Sequence, residues 1–432
     1  MAWDFDTDPE YQEKLDWVDA FVREEIEPLD YVLGSPYDKS DATAVKVALP
    51  LQKQVKDKGL WAAHLGPDLG GQGYGQVKLA LLNELLGRSR WAPNIFGCQA
   101  PDSGNAEILA HFGTGSQQDR YLQPLLDGVI SSSYAMTEPQ GGADPTLFKT
   151  RAERDGEYWV LNGEKWFATN SRYASFYIVM AVTNPDVSAY QGMSMFIVPA
   201  ETPGINVIRE VGLGGERSTH ASHAYIHFED VRVGNDHLLG SEGGAFVIAQ
   251  TRLGGGRVHH AMRSIAQLHR AFDMMCERAL SRETRKGPLS SLQITQERIA
   301  DSWIEIEQFR LLVLRTAWLI DKHNDYKSVR KDIAAVKAAM PKVLHDVVAR
   351  AMHLHGALGV SNEMPFAHMM MSAVAMGIAD GPTEVHKMTV ARQVLRGYKP
   401  VEGLWPSGHL PSRKAAARAR FANLIEHEVG NE

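Results

Sequence analysis

Two short, turn-rich segments carry hydroxyls and backbone donors at the edges of strand-like runs. Residues 134–144 read Tyr-Ala-Met-Thr-Glu-Pro-Gln-Gly-Gly-Ala-Asp, and residues 163–170 read Gly-Glu-Lys-Trp-Phe-Ala-Thr-Asn. Such equipment suits a flat, anionic, hydrogen-bonding ligand. Taken singly, either segment reads equally well as a hairpin turn with a Thr cap and a core Phe. A third constellation is residues 252–263, Arg-Leu-Gly-Gly-Gly-Arg-Val-His-His-Ala-Met-Arg. Gly254, Gly255 and Gly256 would let backbone approach a ligand closely, and Arg252, Arg257, Arg263, His259 and His260 add positive potential. Zinc is disfavoured, because adjacent histidines point apart on a helix and no Cys or acidic ligand accompanies them; no metal is expected. A fourth segment, residues 378–384, reads Ile-Ala-Asp-Gly-Pro-Thr-Glu. On its own, Asp380 before Gly381 and Pro382 is capping chemistry for a helix that starts near Thr383.

The elements that must position these groups change period twice. Residues 1–130 read as helical. Leu15, Val18, Phe21, Val22 and Ile26 recur at helical spacing until Pro28, and a Gly-rich loop over residues 59–73 joins two helical stretches, the second being buried. Residues 131–240 hold short β-branched or aromatic runs punctuated by Asn162-Gly163 and Pro203-Gly204. No helix-length segment separates those runs, so a small antiparallel barrel or sandwich is expected. From 241 to 400 long helices return. One apolar stripe runs through Ile299, Trp303, Ile306, Val313, Ala317 and Ile320. A second runs from Val329 through Ile333, Val336, Met340, Val343, Val347 and Ala351 to Leu354, with Pro341 inside it as a kink. Four such helices imply a bundle, followed by a tail over 401–432 with a basic run at 412–420 that reads as a solvated helix face. The fold class is α+β.

The whole chain sets outer limits. Its 432 residues exceed one ordinary core, and 44% hydrophobic with 22% charged residues is a globular composition. A net charge of −7 argues against a general nucleic-acid binder. Two cysteines, Cys98 and Cys276, make no disulfide framework and point to a reducing, cytoplasmic setting. No apolar signal core opens the chain and no run of membrane-spanning length occurs, so no membrane span is expected. Residues 212–217 (Gly-Leu-Gly-Gly-Glu-Arg) follow a strand-like run but open no helix, which leaves a nicotinamide site without its context.

The segments at 134–144 and 163–170, at this spacing and before a strand-rich region, resemble the flavin-binding signature of the acyl-CoA dehydrogenase family. The resemblance extends from about residue 10 to residue 400. It implies an N-terminal helical domain, a middle antiparallel β-barrel or sandwich and a C-terminal four-helix bundle, with FAD as cofactor. By it, Tyr134, Met136 and Thr137 meet the flavin, Thr169 approaches its N5, and Phe167 covers the ring where many relatives have Trp. Gln140 stands where Gly is usual and Ala143 where Ser is common, which hands a phosphate contact to the amides of Gly141 and Gly142. Arg282, Thr284 and Gln293 match positions that reach a neighbouring subunit's flavin. His353, in place of the common Gln, with Gly356 and Ala357 matches a turn on the adenosine-pyrophosphate portion. Pro382 and Glu384 fall on cofactor positions.

The same resemblance places Asp380 where the family has a Glu base, one methylene longer. Gly254, Gly255, Gly256, Arg257 and Gly381 fall beside the acyl-CoA. It implies α,β-dehydrogenation of an acyl-CoA to a trans-2-enoyl-CoA. The α-proton goes to Asp380, the β-hydride to the flavin and the electrons onward to an electron-transferring flavoprotein, with the site shared in a homodimer or homotetramer. The Asp-Gly-Pro-x-Glu-Val-His and Leu-Gly-x-Gly-Arg-x-His-His runs look most like a branch associated with kinase-like domains of the aminoglycoside phosphotransferase type. That branch implies long or branched acyl-CoAs, or 4-phosphorylated acyl-CoAs that eliminate phosphate, for which Arg252, Arg257 and Arg263 are suited. An acyl-CoA oxidase and a non-enzymatic acyl-CoA-binding protein on the same fold are the rivals.

Overall fold

Asp8 and Asp41 start the first helices by accepting hydrogen bonds from first-turn amides, Tyr11 N–H in the one case and Thr43 and Ala44 N–H in the other. These are α1 (Pro9–Phe21) and α2 (Ala42–Asp57). Two further long helices, α3 (Gly75–Leu86) and α4 (Asp102–Phe112), follow in the N-terminal part, with short helical turns between and after them. The structure is a computed structural model that describes residues 7–69, 71–214, 216 and 221–425. Gly70, within the Gly-rich loop, and Gly215 and Arg217, within the Gly cluster at 212–217, lie outside the described residues.

The described residues in the middle of the chain form eight strands: β1 (Ser132–Ala135), β2 (Arg151–Asp155), β3 (Tyr158–Thr169), β4 (Phe176–Val182), β5 (Met193–Pro199), β6 (Ile205–Val211), β7 (His223–Gly234) and β8 (Leu238–Leu239). Their order is β6-β7-β3-β1-β4-β5-β8, with β2 paired to both β3 and β4. The sheet is antiparallel except where β4 runs parallel to β1 and β2. β1 and β2 run the same way; the β2–β3 hairpin reverses the chain once and the β3–β4 connection reverses it again, so β4 lies parallel to both.

Asn162-Gly163, expected as a turn, is not one. β3 runs through it, paired to β7 on both sides, and the irregularity is a bulge between Leu161 and Gly163. The turn that closes the β2–β3 hairpin is Gly156-Glu157, with Gly156 at φ +60° and Asp155 opposite Tyr158. Gly163 has φ +144°, and a Cβ there would lie 2.5 Å from Thr150 Cα. Gly163→Ala should therefore cost about 1–3 kcal/mol, read as a lower urea midpoint with an unchanged m-value.

The C-terminal helices are α5 (Ala245–Ser281), α6 (Gln293–His323), α7 (Arg330–His355), α8 (Phe366–Met376) and α9 (Thr383–Leu395). Helix α7 carries Pro341 inside it without ending, and Ile333, Val336, Met340, Val347, Ala351 and Leu354 are all buried. In α6, Trp303 departs from its stripe and is 56% exposed, because it stands at the margin of the apolar arc centred on Ile306 and Val313. One core joins these helices to the N-terminal ones: Leu79 and Leu82 of α3 pack with Val258, Met262 and Ile265 of α5 and with residues of α6 and α7. None of the described helices is long and apolar enough to cross a membrane. This compact unit extends to Lys387, and a second begins at Met388. The second holds the later turns of α9 and helix α10 (Leu410–Arg420), with the Trp405 and His409 rings stacked 4.5 Å apart.

Candidate active site

The two signature segments are neighbours because β1 pairs with β3. Tyr134 lies opposite Thr169, the Ser133 hydroxyl donates to the Thr169 carbonyl at 2.7 Å, and Trp166 N–H donates to the Thr137 carbonyl at 2.8 Å. Met136 and Thr137 follow directly from β1. Phe167 is 41% exposed at φ +52°, flanked by the rings of Trp166 and His223. The Thr169 hydroxyl stands 2.9 Å from His223 Nδ1.

Beneath the first segment lies an ion pair the sequence reading did not single out. Lys165 and Glu138 meet at 2.8 Å with both side chains wholly buried. The Glu138 carboxylate also accepts from Lys149 N–H, Thr150 N–H and the Gln140 amide, and Lys165 donates to the Met136 carbonyl at 2.9 Å. Burial pulls the Lys165 ammonium down to about 8. Burial alone would raise the Glu138 carboxyl, but Lys165 and the two amides together hold it below its usual value. The amides of Gly141 and Gly142, expected to face a phosphate, both donate to the Glu138 carbonyl and close this turn. Gly141 is required by contact, since a Cβ would meet Phe148 at 2.5 Å.

Asp380 stands on the turn before α9 in a left-handed conformation, φ +55°, which a short polar side chain tolerates better than a long one. Its carboxylate is turned toward α5. Oδ2 lies 3.9 Å from His260 Nε2 and 3.5 Å from where a Gly256 Cβ would be. Its carbonyl accepts from Arg257 Nε at 2.9 Å and from His386 Nε2 at 3.2 Å. Gly381, at φ +104°, leaves His386 its place, and Lys337 holds the Met376 carbonyl at the start of the same turn. Burial lowers His386 to about 4 and Lys337 to about 8, with Arg257 adding to both shifts. Lys337 has no signal in the sequence, because a buried Lys on an apolar stripe has no pattern of its own, whereas His386 closes the Asp-Gly-Pro-x-Glu-Val-His run, which carried no role for it.

The glycine run of α5 divides in its use. The space a Cβ would take at Gly254 meets the Tyr326 ring at 3.2 Å, and at Gly255 it meets Glu107 Oε2 at 3.1 Å and the Tyr326 hydroxyl at 3.2 Å. Two of the three glycines thus admit the protein's own side chains, and Gly256 alone faces Asp380. Burial raises the Glu107 carboxyl to about 8, against the opposing pull of Arg252. Arg252 donates to Asn105 at 2.8 Å and lies 3.9 Å over the Tyr134 ring.

Arg282, Thr284 and Gln293 sit at the short hairpin between α5 and α6, where the Thr284 hydroxyl donates to the Gly287 carbonyl. His353, Gly356 and Ala357 are exposed at the end of α7, Gly356 at φ +65°. Both groups face outward from this chain. Pro382 accepts from His386 N–H, and Glu384 is exposed in the first turn of α9.

A helical–sheet–helical chain, with an exposed aromatic face between paired signature segments and a carboxylate turned toward the adjoining long helix, has the organisation of an FAD-dependent oxidoreductase. The exposed Phe167 and the Thr169 hydroxyl fit a flat cofactor. The chain belongs to the acyl-CoA dehydrogenase family: models of the N-terminal, middle and C-terminal domains of acyl-CoA dehydrogenase match residues 8–129, 133–231 and 243–395. It is 41% identical to probable acyl-CoA dehydrogenase FadE2 of Mycobacterium tuberculosis over 82% of this chain and 87% of that protein. It is 38% identical to acyl-CoA dehydrogenase family member 11 of Gallus gallus over 88% of this chain, and spans about half (50%) of that longer relative. Among solved structures, butyryl-CoA dehydrogenase from Megasphaera elsdenii is similar with a TM-score of 0.77 and 26% identity, covering 91% of this chain and all (100%) of that one.

Proposed function

We propose that the protein removes two hydrogens from the α and β carbons of an acyl-CoA, giving a trans-2-enoyl-CoA, with Asp380 as the base. The observation that carries this reading is a convergence on α5. Arg252 lies against Tyr134 of the signature strand, and Gly256, one helical turn further on the same face, lies against Asp380. The field of Asp380 also reaches the Tyr134 phenol, which burial chiefly holds at about 12.

When bound, FAD supplies the two-electron acceptor for the hydride that leaves the β-carbon. Asp380 takes the α-proton on a carboxylate oxygen. Arg257, His386 and Lys337 fix the turn that presents it, so the carboxylate needs little reorganisation when the proton arrives. Met136, Thr137, Phe167 and Thr169 would hold the isoalloxazine ring. Arg282 and Gln293, exposed with the half-buried Thr284 between α5 and α6, and His353, Gly356 and Ala357, exposed at the end of α7, would serve the flavin of a second copy in a homodimer or homotetramer. An electron-transferring flavoprotein would take the electrons.

Anaerobic addition of saturated acyl-CoAs of graded length should bleach the flavin, and peroxide should not form in air; peroxide without an added acceptor would instead mark an oxidase. A second reading is elimination of phosphate from a 4-phosphoacyl-CoA. The observation that favours it is the pair of cations beside Asp380, the half-buried Arg257 and the buried Lys337. Phosphate release from such a substrate, with no release from its unphosphorylated counterpart, would establish it.

A further inference from the structure

His260 is the group nearest the Asp380 carboxylate that the proposed reaction leaves without a task. Its ring is flanked on both nitrogens: Nε2 faces Asp380 Oδ2 at 3.9 Å, and Nδ1 faces Arg263 Nη2 at 3.4 Å. A guanidinium can only donate, so Nδ1 must be the accepting nitrogen and a neutral ring carries its proton on Nε2. Arg263 is itself held in place, buried on α5 and donating to Asn83 Oδ1 at 3.3 Å, while the Asn83 amide group donates back to the Leu79 carbonyl. The ring is neutral at physiological pH. Burial, with Arg263, Lys337 and Arg252 adding positive charge, lowers it to about 4 against the opposing pull of Asp380. These are the charged groups facing it from its own helix, from α7 and from the turn before α9.

We infer that His260 is a positioning residue for Asp380: its Nε2–H, fixed by Arg263 on the opposite nitrogen, is directed at the carboxylate and orients it for proton abstraction. The tautomer excludes the other role open to a histidine here. With Nδ1 occupied by Arg263 and Nε2 already protonated, the ring has no free lone pair and does not collect the abstracted proton. The 3.9 Å gap is longer than a hydrogen bond and closes with a small rotation of either side chain, for which the absence of a side chain on Gly256 leaves room.

The inference rests on the dehydrogenase reading for its kinetic consequence and not for its structural one, so two measurements are paired. Solid-state nitrogen NMR of the resting holoenzyme, labelled at histidine, should show at pH 7 a neutral Nε2–H imidazole that disappears in His260→Gln and whose Nε2 signal moves in Asp380→Asn. A cationic ring or an Nδ1–H tautomer at that position would overturn the assignment, whether or not any acyl-CoA is a substrate. In anaerobic flavin reduction, His260→Leu should move the acid limb of the pH profile upward by about one pH unit, as expected for loss of one donor to a carboxylate. His260→Gln, which keeps a donor, should restore the limb. An unmoved limb in His260→Leu, with normal flavin content and bleaching, would overturn the positioning role. If no acyl-CoA bleaches the wild-type flavin, it is the dehydrogenase reading that falls, and the NMR result still decides the geometry.

Discussion

Asp380→Asn should slow acyl-CoA-driven bleaching of the flavin by roughly a hundred- to ten-thousand-fold, the range a positioned general base contributes. The substitution is a clean one. Asn is isosteric with Asp and shares its tolerance of the left-handed backbone at φ +55°, so the turn held by Arg257 and His386 should persist. Flavin content and thermal midpoint should stay near wild type while stopped-flow reduction collapses. Asp380→Glu is the informative companion. It restores the side chain that the family resemblance leads one to expect, but a longer side chain fits the left-handed backbone less well and would crowd the groups around Gly256. Partial activity with reduced stability is expected from it.

Lys165→Met should cost about 3–5 kcal/mol, because it leaves a wholly buried Glu138 charge without its partner. The loss should appear as a large fall in the urea midpoint together with weaker FAD retention, since Lys165 also holds the Met136 carbonyl. Replacing both partners, as Lys165→Met with Glu138→Gln, should recover part of the loss, which separates an uncompensated charge from a missing contact. The pH dependence follows from the direction of the shift. Glu138 is held below its ordinary value of 4.5, so its contribution is present above that pH and is lost as pH falls through the lower, folded value. Wild-type stability should therefore drop on acidification more steeply than that of the double variant.

Much of this architecture is legible from local pattern, and the exceptions have specific causes. The stripe from Val329 to Leu354 reads correctly through Pro341 because seven buried side chains outweigh one missing hydrogen bond. Asn162-Gly163 misleads because the same dipeptide suits a hairpin turn and a bulge; only the partner strand β7, distant in sequence, decides between them. The hydrogen bonds that the Gly141 and Gly142 amides make to the Glu138 carbonyl are likewise encoded by no spacing rule.

At the site, Asp380 is placed by its neighbours in sequence, whereas what surrounds it is not. Arg257 comes from α5 and Lys337 from α7, and they meet the turn of Asp380 only when those helices pack beside it. A buried ionisable residue on an apolar face cannot be told from an exposed one at a stripe's edge, as Trp303 shows in the opposite direction.

The most direct test of the central claim, that a flavin and Asp380 converge on α5 to dehydrogenate an acyl-CoA, is anaerobic stopped-flow reduction with an acyl-CoA deuterated at its α-carbon. The account predicts a yellow protein whose flavin bleaches more slowly with the deuterated substrate than with the unlabelled one, the difference vanishing along with the rate in Asp380→Asn. A protein that purifies without FAD, or whose flavin is bleached by no acyl-CoA, would contradict it.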